Sequence, residues 1–289
     1  MGFDQRVVAA GPWSLSKANV LATCASQYDF KYIQKVKEGA KSTQSRVGTT
    51  AHTIQEHALN HAPTFEDLQR FAREQIDKDG LTYNEAVEVT AKLAGVVDFA
   101  RRVGELKAQY GVRKELVEHK LAMTADWRPT DFFARDAFLR GVIDYGLVTE
   151  AGVLLLVDHK AGRRKRIGEH APQFYVYMDL AIVNFSVGEV DGIQSGINYF
   201  GSPDLDWFPR FSGEPGAWTR AEIVRHAGPW LEDFLNRLTK RLTVISDRTH
   251  GPSTGWQCEY CGYADPAHCS EGATHAAERR AKRAGDKNI

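Results

Sequence analysis

The sequence predicts an α+β fold in which a mixed central sheet is flanked by helices. Two apolar strand-like segments, 137–148 and 153–159, lie in the middle of the chain and are separated by a short turn. Before residue 110 the apolar residues recur at helical spacing, and a long amphipathic segment covers 219–245. This order of elements predicts a fold of mixed helices and strands, α/β in the broad sense that includes α+β, with a helical N-terminal lobe.

The individual elements follow from the spacing of apolar residues and from turn and cap residues. In chain order we expect helices at 50–59, 64–80 and 83–110, strands at 112–123, 137–148 and 153–159, a helix at 168–185, a strand at 192–200, a loop at 202–216 and a helix at 219–245. Thr219 and Glu222 have the spacing of a capping box at the start of the last helix. The basic tail, 279–287, is expected to fray.

The chain is long enough for one elaborated domain. Its 289 residues, with 43% hydrophobic content, can bury a substantial core. We expect three parts of one integrated unit: an N-terminal helical lobe over 1–110, a core over 111–205, and a C-terminal helix with a cysteine-rich region over 206–289.

Two acids and a lysine close the central strands. Asp158 and Lys160 end the apolar run 153–157, and residues two apart on a strand point to the same face. Asp144 closes the pattern 138–144 of the preceding strand, and the turn at 150–152 would bring it to the same edge. Two carboxylates and an ammonium at the rim of a sheet predict a Mg²⁺ or Mn²⁺ site suited to phosphodiester hydrolysis. A solvent-exposed ion pair is the alternative for the Asp-x-Lys tripeptide alone.

Three ordered motifs resemble those of the RecB-like branch of the PD-(D/E)XK nuclease superfamily. They are a G-x-x-D motif ending at Asp144, the D-x-K motif of Asp158 and Lys160, and a Q-x-x-x-Y motif from Gln173 to Tyr177. The resemblance implies a PD-(D/E)XK core and metal-dependent DNA cleavage, with these five residues as the catalytic set.

The same resemblance extends upstream to a G-x-x-x-H element that ends at His52. It implies that His52 binds Mg²⁺ or Mn²⁺ together with Asp144, Asp158 and the backbone carbonyl of His159. Glu118 matches a further acid that is often found on the strand before the core hairpin, and Glu115 is the alternative. His57, on the same predicted helix, and His61, just beyond it, are neighbouring histidines to which we assign no metal.

The four cysteines predict a metal centre. Cys258 and Cys261 have a metal-binding C-x-x-C spacing, and Cys24 and Cys269 complete a set of four thiols. The sequence has no signal-like or transmembrane segment, so we expect a cytoplasmic protein in which disulfides are improbable.

The segment from Trp13 to Cys24 resembles the N-terminal part of the iron–sulfur subgroup of RecB-like nucleases. That resemblance implies a 4Fe-4S cluster on Cys24, Cys258, Cys261 and Cys269, which would join the two ends of the chain. The seven residues between Cys261 and Cys269 exceed the usual spacing. Zinc, with His268 or His275 as a ligand, and unligated core cysteines therefore stay open as alternatives.

The net charge does not mark the chain as a nucleic-acid-binding protein, because 37 basic residues balance 37 acidic ones. A local run of cations, Arg163, Arg164, Lys165 and Arg166, follows the predicted catalytic strand and is placed to bind a DNA backbone; a solvated loop is the alternative. For the aromatic residues Tyr28, Phe30, Tyr32 and Tyr175 we favour core packing over base stacking.

The resemblance to the iron–sulfur subgroup of RecB-like nucleases implies a DNA exonuclease. We expect it to act on single-stranded or end-resected DNA in recombination, repair, CRISPR adaptation or phage DNA processing. The sequence has no P-loop motif, so a helicase or recombination partner would supply any motor. The alternatives are a non-catalytic nucleic-acid-binding subunit with the same fold and a zinc-stapled regulatory protein.

Overall fold

The computed structural model describes residues 2–39, 42–202, 204–213, 216–247 and 249–285. They form two compact units. The core unit comprises residues 43–231, and the terminal unit comprises residues 2–42 together with 232–289. The expected boundaries at 110 and 205 both fall inside the core unit.

The elements are labelled in chain order. The helices are α1 Gln5–Ala9, α2 Leu15–Thr23, α3 Ala25–Tyr28, α4 Thr43–His61, α5 Phe65–Lys78, α6 Tyr83–Thr90, α7 Leu93–Tyr110, α8 Ala171–Asn184, α9 Arg220–Asn236, α10 Thr239–Ser246 and α11 Ser270–Gly285. The strands are β1 Lys114–Met123, β2 Leu139–Val148, β3 Val153–Lys160, β4 Gly192–Tyr199, β5 Leu205–Trp207 and β6 Trp218–Thr219. A short π-helical segment, Asp29–Ile33, follows α3, and 3-10 turns cover Ile167–His170 and Trp256–Tyr260.

The core unit is built on a mixed sheet, which confirms the predicted fold class. The strand order is β1-β2-β3-β4-β5, with β6 also paired to β4. Strands β3 and β4 are parallel, whereas the other pairs are antiparallel. A parallel pair needs a long crossover, and α8 lies within it.

Helices α7 and α8 cover opposite faces of the sheet. Val157 packs against Phe99 of α7, whereas the next residue, Asp158, bonds to Gln173 of α8. Successive strand residues point to opposite faces, so the two helices lie on different sides. Gly95 brings α7 onto the sheet, since a Cβ there would lie 1.8 Å from the carbonyl oxygen of Phe200.

Several elements differ from the sequence-based expectation. The predicted helices 83–110 and 219–245 are each divided in two, and a strand, β5, lies within the predicted loop 202–216. The expectation that 279–287 frays is wrong for residues 279–285, which belong to α11. Arg279 and Arg283 of this helix both bind Glu259. Residues 286 and 287 lie outside the described part.

Several aromatic residues of the terminal unit, among them Trp13 and Tyr28, are buried. The Trp13 indole donates to the carbonyl of Val7 at 2.7 Å. The buried Tyr28 ring contacts the rings of Trp13 and Tyr32. Tyr28 is therefore a core residue, as favoured from the sequence.

Across the described ranges, the structure contains no helix that is both long and apolar enough to cross a membrane.

Candidate active site

Three side chains from three elements converge in the core unit. His52 of α4, Glu118 of β1 and Asp144 of β2 place one ligand atom each within 4.8 Å of one another. The His52 Nδ1 atom lies 3.7 Å from Asp144 Oδ2. An imidazole nitrogen and carboxylate oxygens form a donor set that fits Mn²⁺ or Mg²⁺. The site opens into a cavity of about 520 Å³ that His52, Glu118 and Lys160 help to line.

Glu118 and Asp144 meet because β1 and β2 pair in register. The flanking pairs are Val117 with Tyr145 and His119 with Ile143, so the two acids face each other across the strands. Glu118 has a φ of 47°, in the left-handed region that side chains other than glycine rarely adopt. Such strain is concentrated at functional sites. The sequence suggested this acid by resemblance and gave no sign of its backbone conformation.

Asp144 is also held from the neighbouring strand. The backbone N–H of His159 donates to Asp144 Oδ2 at 2.7 Å. The His159 ring is buried, and Asn198 lies 3.1 Å from its Nδ1 atom. The backbone N–H of the middle residue of the D-x-K motif therefore helps to fix the carboxylate that faces Glu118.

Asp158 and Lys160 form an ion pair beside this group. Lys160 Nζ lies 2.6 Å from Asp158 Oδ2, as the shared strand face predicts. Gln173 Nε2 donates both to Asp158 Oδ1 and to the Tyr177 hydroxyl, the latter at 3.0 Å. The Q-x-x-x-Y motif is thus connected to the D-x-K motif through side chains of α8.

The expected position of Asp158 on the solvent rim of the sheet is wrong. Only 2% of Asp158 is exposed. Strand β3 lies between β2 and β4, and α8 covers the face to which Asp158 points. An ionised carboxylate at this depth requires compensating charge, which Lys160 supplies in part.

Burial dominates the electrostatics of the acids. It raises the pKa of Asp144 and of Asp158, against the opposing influence of Lys160 and, for Asp144, of the His159 N–H. It also raises the pKa of Glu118 to about 7, with the charge of Asp144 as the next cause. Burial lowers the pKa of His52, which favours the neutral imidazole that binds metals. This combination favours occupation by a cation.

The alternative residues lie elsewhere. Glu115 pairs with Lys107 at 2.7 Å and accepts a bond from the Tyr145 hydroxyl at 3.1 Å. The His57 ring stacks on Phe71 at 3.7 Å and lies beside His61. The structure thus brings Glu118, rather than Glu115, to the site.

The basic run beyond β3 is exposed, but one of its cations is already paired. The Arg164 guanidinium binds both carboxylate oxygens of Asp206, the middle residue of β5. The side chains of Arg163, Lys165 and Arg166 are exposed. The run thus presents exposed positive charge just beyond β3.

The four cysteines gather in the terminal unit, where they line one small cavity. Burial raises the pKa of the Cys261 and Cys269 thiols, whereas backbone N–H groups of Tyr263 and Gly272 bonded to their sulfurs act in the opposite direction. A Cβ at Gly272 would lie 2.8 Å from Cys269 Sγ. N–H donors to sulfur and a glycine beside it fit a thiolate-bound metal group.

The two histidines near the cysteines in sequence have different surroundings. His268 Nδ1 pairs with Asp265 at 2.8 Å. His275 Nε2 is buried and, among the described residues, has no hydrogen-bond partner. The Nε2 atom of His275 is therefore available as the nitrogen ligand that the zinc alternative requires.

A larger cavity, of about 830 Å³, lies in the terminal unit. Its lining includes Asp29 and His250, which lie 3.2 Å apart, and the thiol-bearing Cys269. The smaller cavity of the core unit is the one that combines the clustered acids with Lys160. Chemistry rather than volume therefore identifies the candidate active site.

The sequence matches the PD-(D/E)XK nuclease superfamily over residues 12–266. This chain belongs to that superfamily, and membership implies metal-dependent phosphodiester hydrolysis with DNA as the substrate. Comparison with curated proteins yields no match. A solved structure titled "Crystal structure of SSO0001" is 12% identical, with 88% of this chain and 97% of that chain covered, at a TM-score of 0.32.

Proposed function

We propose that this protein is a RecB-like, metal-dependent DNA exonuclease. The observation that carries the proposal is the meeting of His52, Glu118 and Asp144 beside the Asp158–Lys160 pair. Family membership supplies the reaction class, and the ordered motifs support the RecB-like branch. A non-catalytic binding subunit would have no need of an intact acid group with a lysine beside it.

The metal ligands in this proposal are His52, Glu118, Asp144 and Asp158, with the His159 carbonyl as a further ligand. When bound, Mg²⁺ or Mn²⁺ lowers the pKa of water and polarises the scissile phosphate. The imidazole of His52 makes the set more tolerant of Mn²⁺ than an all-oxygen set would be.

Lys160 has the charge-stabilising role. Its ammonium lies at the cavity and can approach a phosphate oxygen on which negative charge develops. Gln173 and Tyr177 position it indirectly, because Gln173 bonds to both Asp158 and Tyr177. Arg163, Arg164, Lys165 and Arg166 would contact the backbone of the bound strand.

The test is cleavage of end-labelled linear DNA with Mn²⁺, Mg²⁺ or EDTA. Lys160→Ala and Asp158→Ala should each lower the rate by about 10²-fold or more, as loss of a charge-stabilising group typically does. Lys107→Ala, which breaks the surface pair with Glu115, is the matched control and should cleave normally. Near-normal rates in either active-site variant, or cleavage in EDTA, would contradict the assignment.

The exonuclease assignment rests on resemblance to the iron–sulfur subgroup. We expect linear single-stranded DNA to be degraded from an end while closed circles are largely spared. Gel analysis of both substrates with the wild-type protein decides the question. Rapid cutting of circles would make the protein an endonuclease without affecting the metal-site proposal.

We further propose that Cys24, Cys258, Cys261 and Cys269 hold a 4Fe-4S cluster, with zinc as the alternative. The shared cavity and the N–H donors to two sulfurs support a thiolate-bound group. The proposed cellular setting is the cytoplasm, in recombination, repair, CRISPR adaptation or phage DNA processing, with a helicase or recombination protein as partner.

A further inference from the structure

A pair of phenylalanines lies on the hairpin loop between β1 and β2. Phe132 and Phe133 have ring centroids 5.1 Å apart in an edge-on arrangement, and 75% of Phe133 is exposed. Leaving a large apolar ring in water is unfavourable, and packing within the fold does not require Phe133 to be there. In the sequence the two phenylalanines are adjacent in a largely polar loop.

Two cations lie over these rings. Lys120 Nζ is 5.8 Å from the Phe132 centroid and 5.2 Å from that of Phe133, and the Arg140 guanidinium carbon is 5.4 Å from Phe132. We call Lys120, Phe132, Phe133 and Arg140 the hairpin patch. Aromatic faces beside cations are the combination with which proteins bind single-stranded nucleic acid.

The loop that carries the patch is held in place by its own contacts. Phe138 N–H donates to the Met123 carbonyl at 2.8 Å, and the Thr130 hydroxyl donates to Asp136 at 2.8 Å. Arg140 donates to the Ala134 carbonyl at 3.2 Å. A surface fixed before binding loses little conformational entropy when a ligand arrives.

The hairpin patch lies beyond the acids along the same two strands. Lys120 is two residues past Glu118 on β1, and Arg140 is four residues before Asp144 on β2. At about 3.3 Å per strand residue these offsets are about 7 and 13 Å. Both offsets run toward the loop. A DNA strand that leaves the acids in this direction therefore reaches the patch within a few nucleotides.

We propose that the hairpin patch is a stacking platform for unpaired bases of a single-stranded DNA substrate. Bases would stack on Phe133 and Phe132, while Lys120 and Arg140 attract the adjoining phosphates. Duplex DNA keeps its base faces inside the stack, so the platform selects single strands. This inference deepens the proposed function and rests on it for DNA as the ligand.

The test is equilibrium binding of fluorescent oligonucleotides in EDTA, where cleavage does not interfere. Phe133→Ala should raise the Kd for a single strand by about tenfold or more, the loss expected when one stacked base is released. Its Kd for a duplex should not change. Phe133→Trp should keep single-strand binding, because it preserves an aromatic face.

Tyr83→Ala is the matched control, because Tyr83 is an aromatic residue of the same unit that is 82% exposed. It should bind both DNA forms as the wild type does. Unchanged single-strand affinity in Phe133→Ala, or an equal loss for single strands and duplexes, would overturn the stacking platform. A wild-type protein that binds single strands but cleaves no DNA would overturn the proposed nuclease and leave the platform intact.

Discussion

At the scale of single residues, the active site concentrates acids that are partly or fully buried. Glu118, Asp144 and Asp158 all have raised pKa values, with burial as the main cause. The backbone of Glu118 is, in addition, in the left-handed region. A divalent cation fits this donor set, and its charge would favour the ionised form of these acids.

Glu118→Gln tests this interpretation at the residue that the sequence assigned least firmly. Removing one carboxylate charge from the ligand group should weaken Mn²⁺ binding by about tenfold or more, in line with the 10–100-fold losses seen even for outer partners of metal ligands. Isothermal calorimetry on the metal-free protein measures this directly. Glu115→Gln is the control, and a weaker metal affinity in that variant instead would move the ligand to Glu115.

Another buried acid, Asp179 of α8, has no place in the proposed reaction. Its side chain is fully buried, and within the described ranges neither oxygen has a hydrogen-bond partner. Burial raises its pKa well above the usual range. The folded protein therefore keeps a proton that the unfolded chain releases.

Asp179→Asn should make the protein more stable at neutral pH. The stability that the neutral acid contributes is complete below the unfolded pKa of about 4 and is lost as pH rises toward the folded value. Asparagine stays neutral, so the two unfolding free energies should be similar near pH 4 and then diverge by up to about 1.4 kcal/mol per pH unit. Denaturant titrations across this range measure the difference. A constant difference between the two proteins would show that Asp179 is ionised or hydrated.

At the scale of elements, the close approach of α7 to the sheet depends on glycine. A Cβ at Gly95 would lie 1.8 Å from the Phe200 carbonyl oxygen, whereas a Cβ at Gly104 of the same helix would meet nothing within 4 Å. The Phe200 ring also contacts the ring of His52. The position of α7 is thus connected to the candidate site.

Alanine should therefore have opposite effects at these two glycines. Gly104→Ala should stabilise the protein by about 1 kcal/mol, the usual gain in an exposed helix. Gly95→Ala should destabilise it by about 1–3 kcal/mol or more, because backbone must move. Thermal or chemical denaturation of both variants checks the sign. A stabilising Gly95→Ala would mean that α7 lies farther from Phe200.

The strands that carry the site could be predicted because apolar residues alternate or run along them, and because the D-x-K motif ends the apolar run of β3. What could not be predicted depends on tertiary pairing. Three residues, Leu205–Trp207, form a strand only because β4 offers an edge, with Gly196 opposite Trp207. Likewise, the burial of Asp158 depends on α8, which no pattern within β3 reveals. The sequence therefore predicted the residue types at the site but not how deeply they are buried.

At the scale of the whole molecule, the two chemistries are carried by different units. The acids lie in the core unit, and all four cysteines lie in the terminal unit. The terminal unit is formed from both ends of the chain, so Cys24 and the other three cysteines approach from opposite directions in sequence. A bound metal group would therefore close a loop of more than two hundred residues.

The four cysteines that would close this loop should all be required for the bound metal group. Because metal binding contributes directly to folding, loss of any one cysteine ligand should remove the bound iron, its visible absorbance and about 5 °C or more of melting temperature. Cys24→Ala and Cys269→Ala should therefore behave alike in iron and zinc content and in thermal melts. Ser26→Ala, at a buried neighbour of Cys24, controls for a small change at this position and should keep the metal. If Cys24→Ala keeps its full metal content while Cys269→Ala loses it, the connection between the chain ends is wrong. A local zinc site with His268 or His275, whose Nε2 atom is buried, would then be the better assignment.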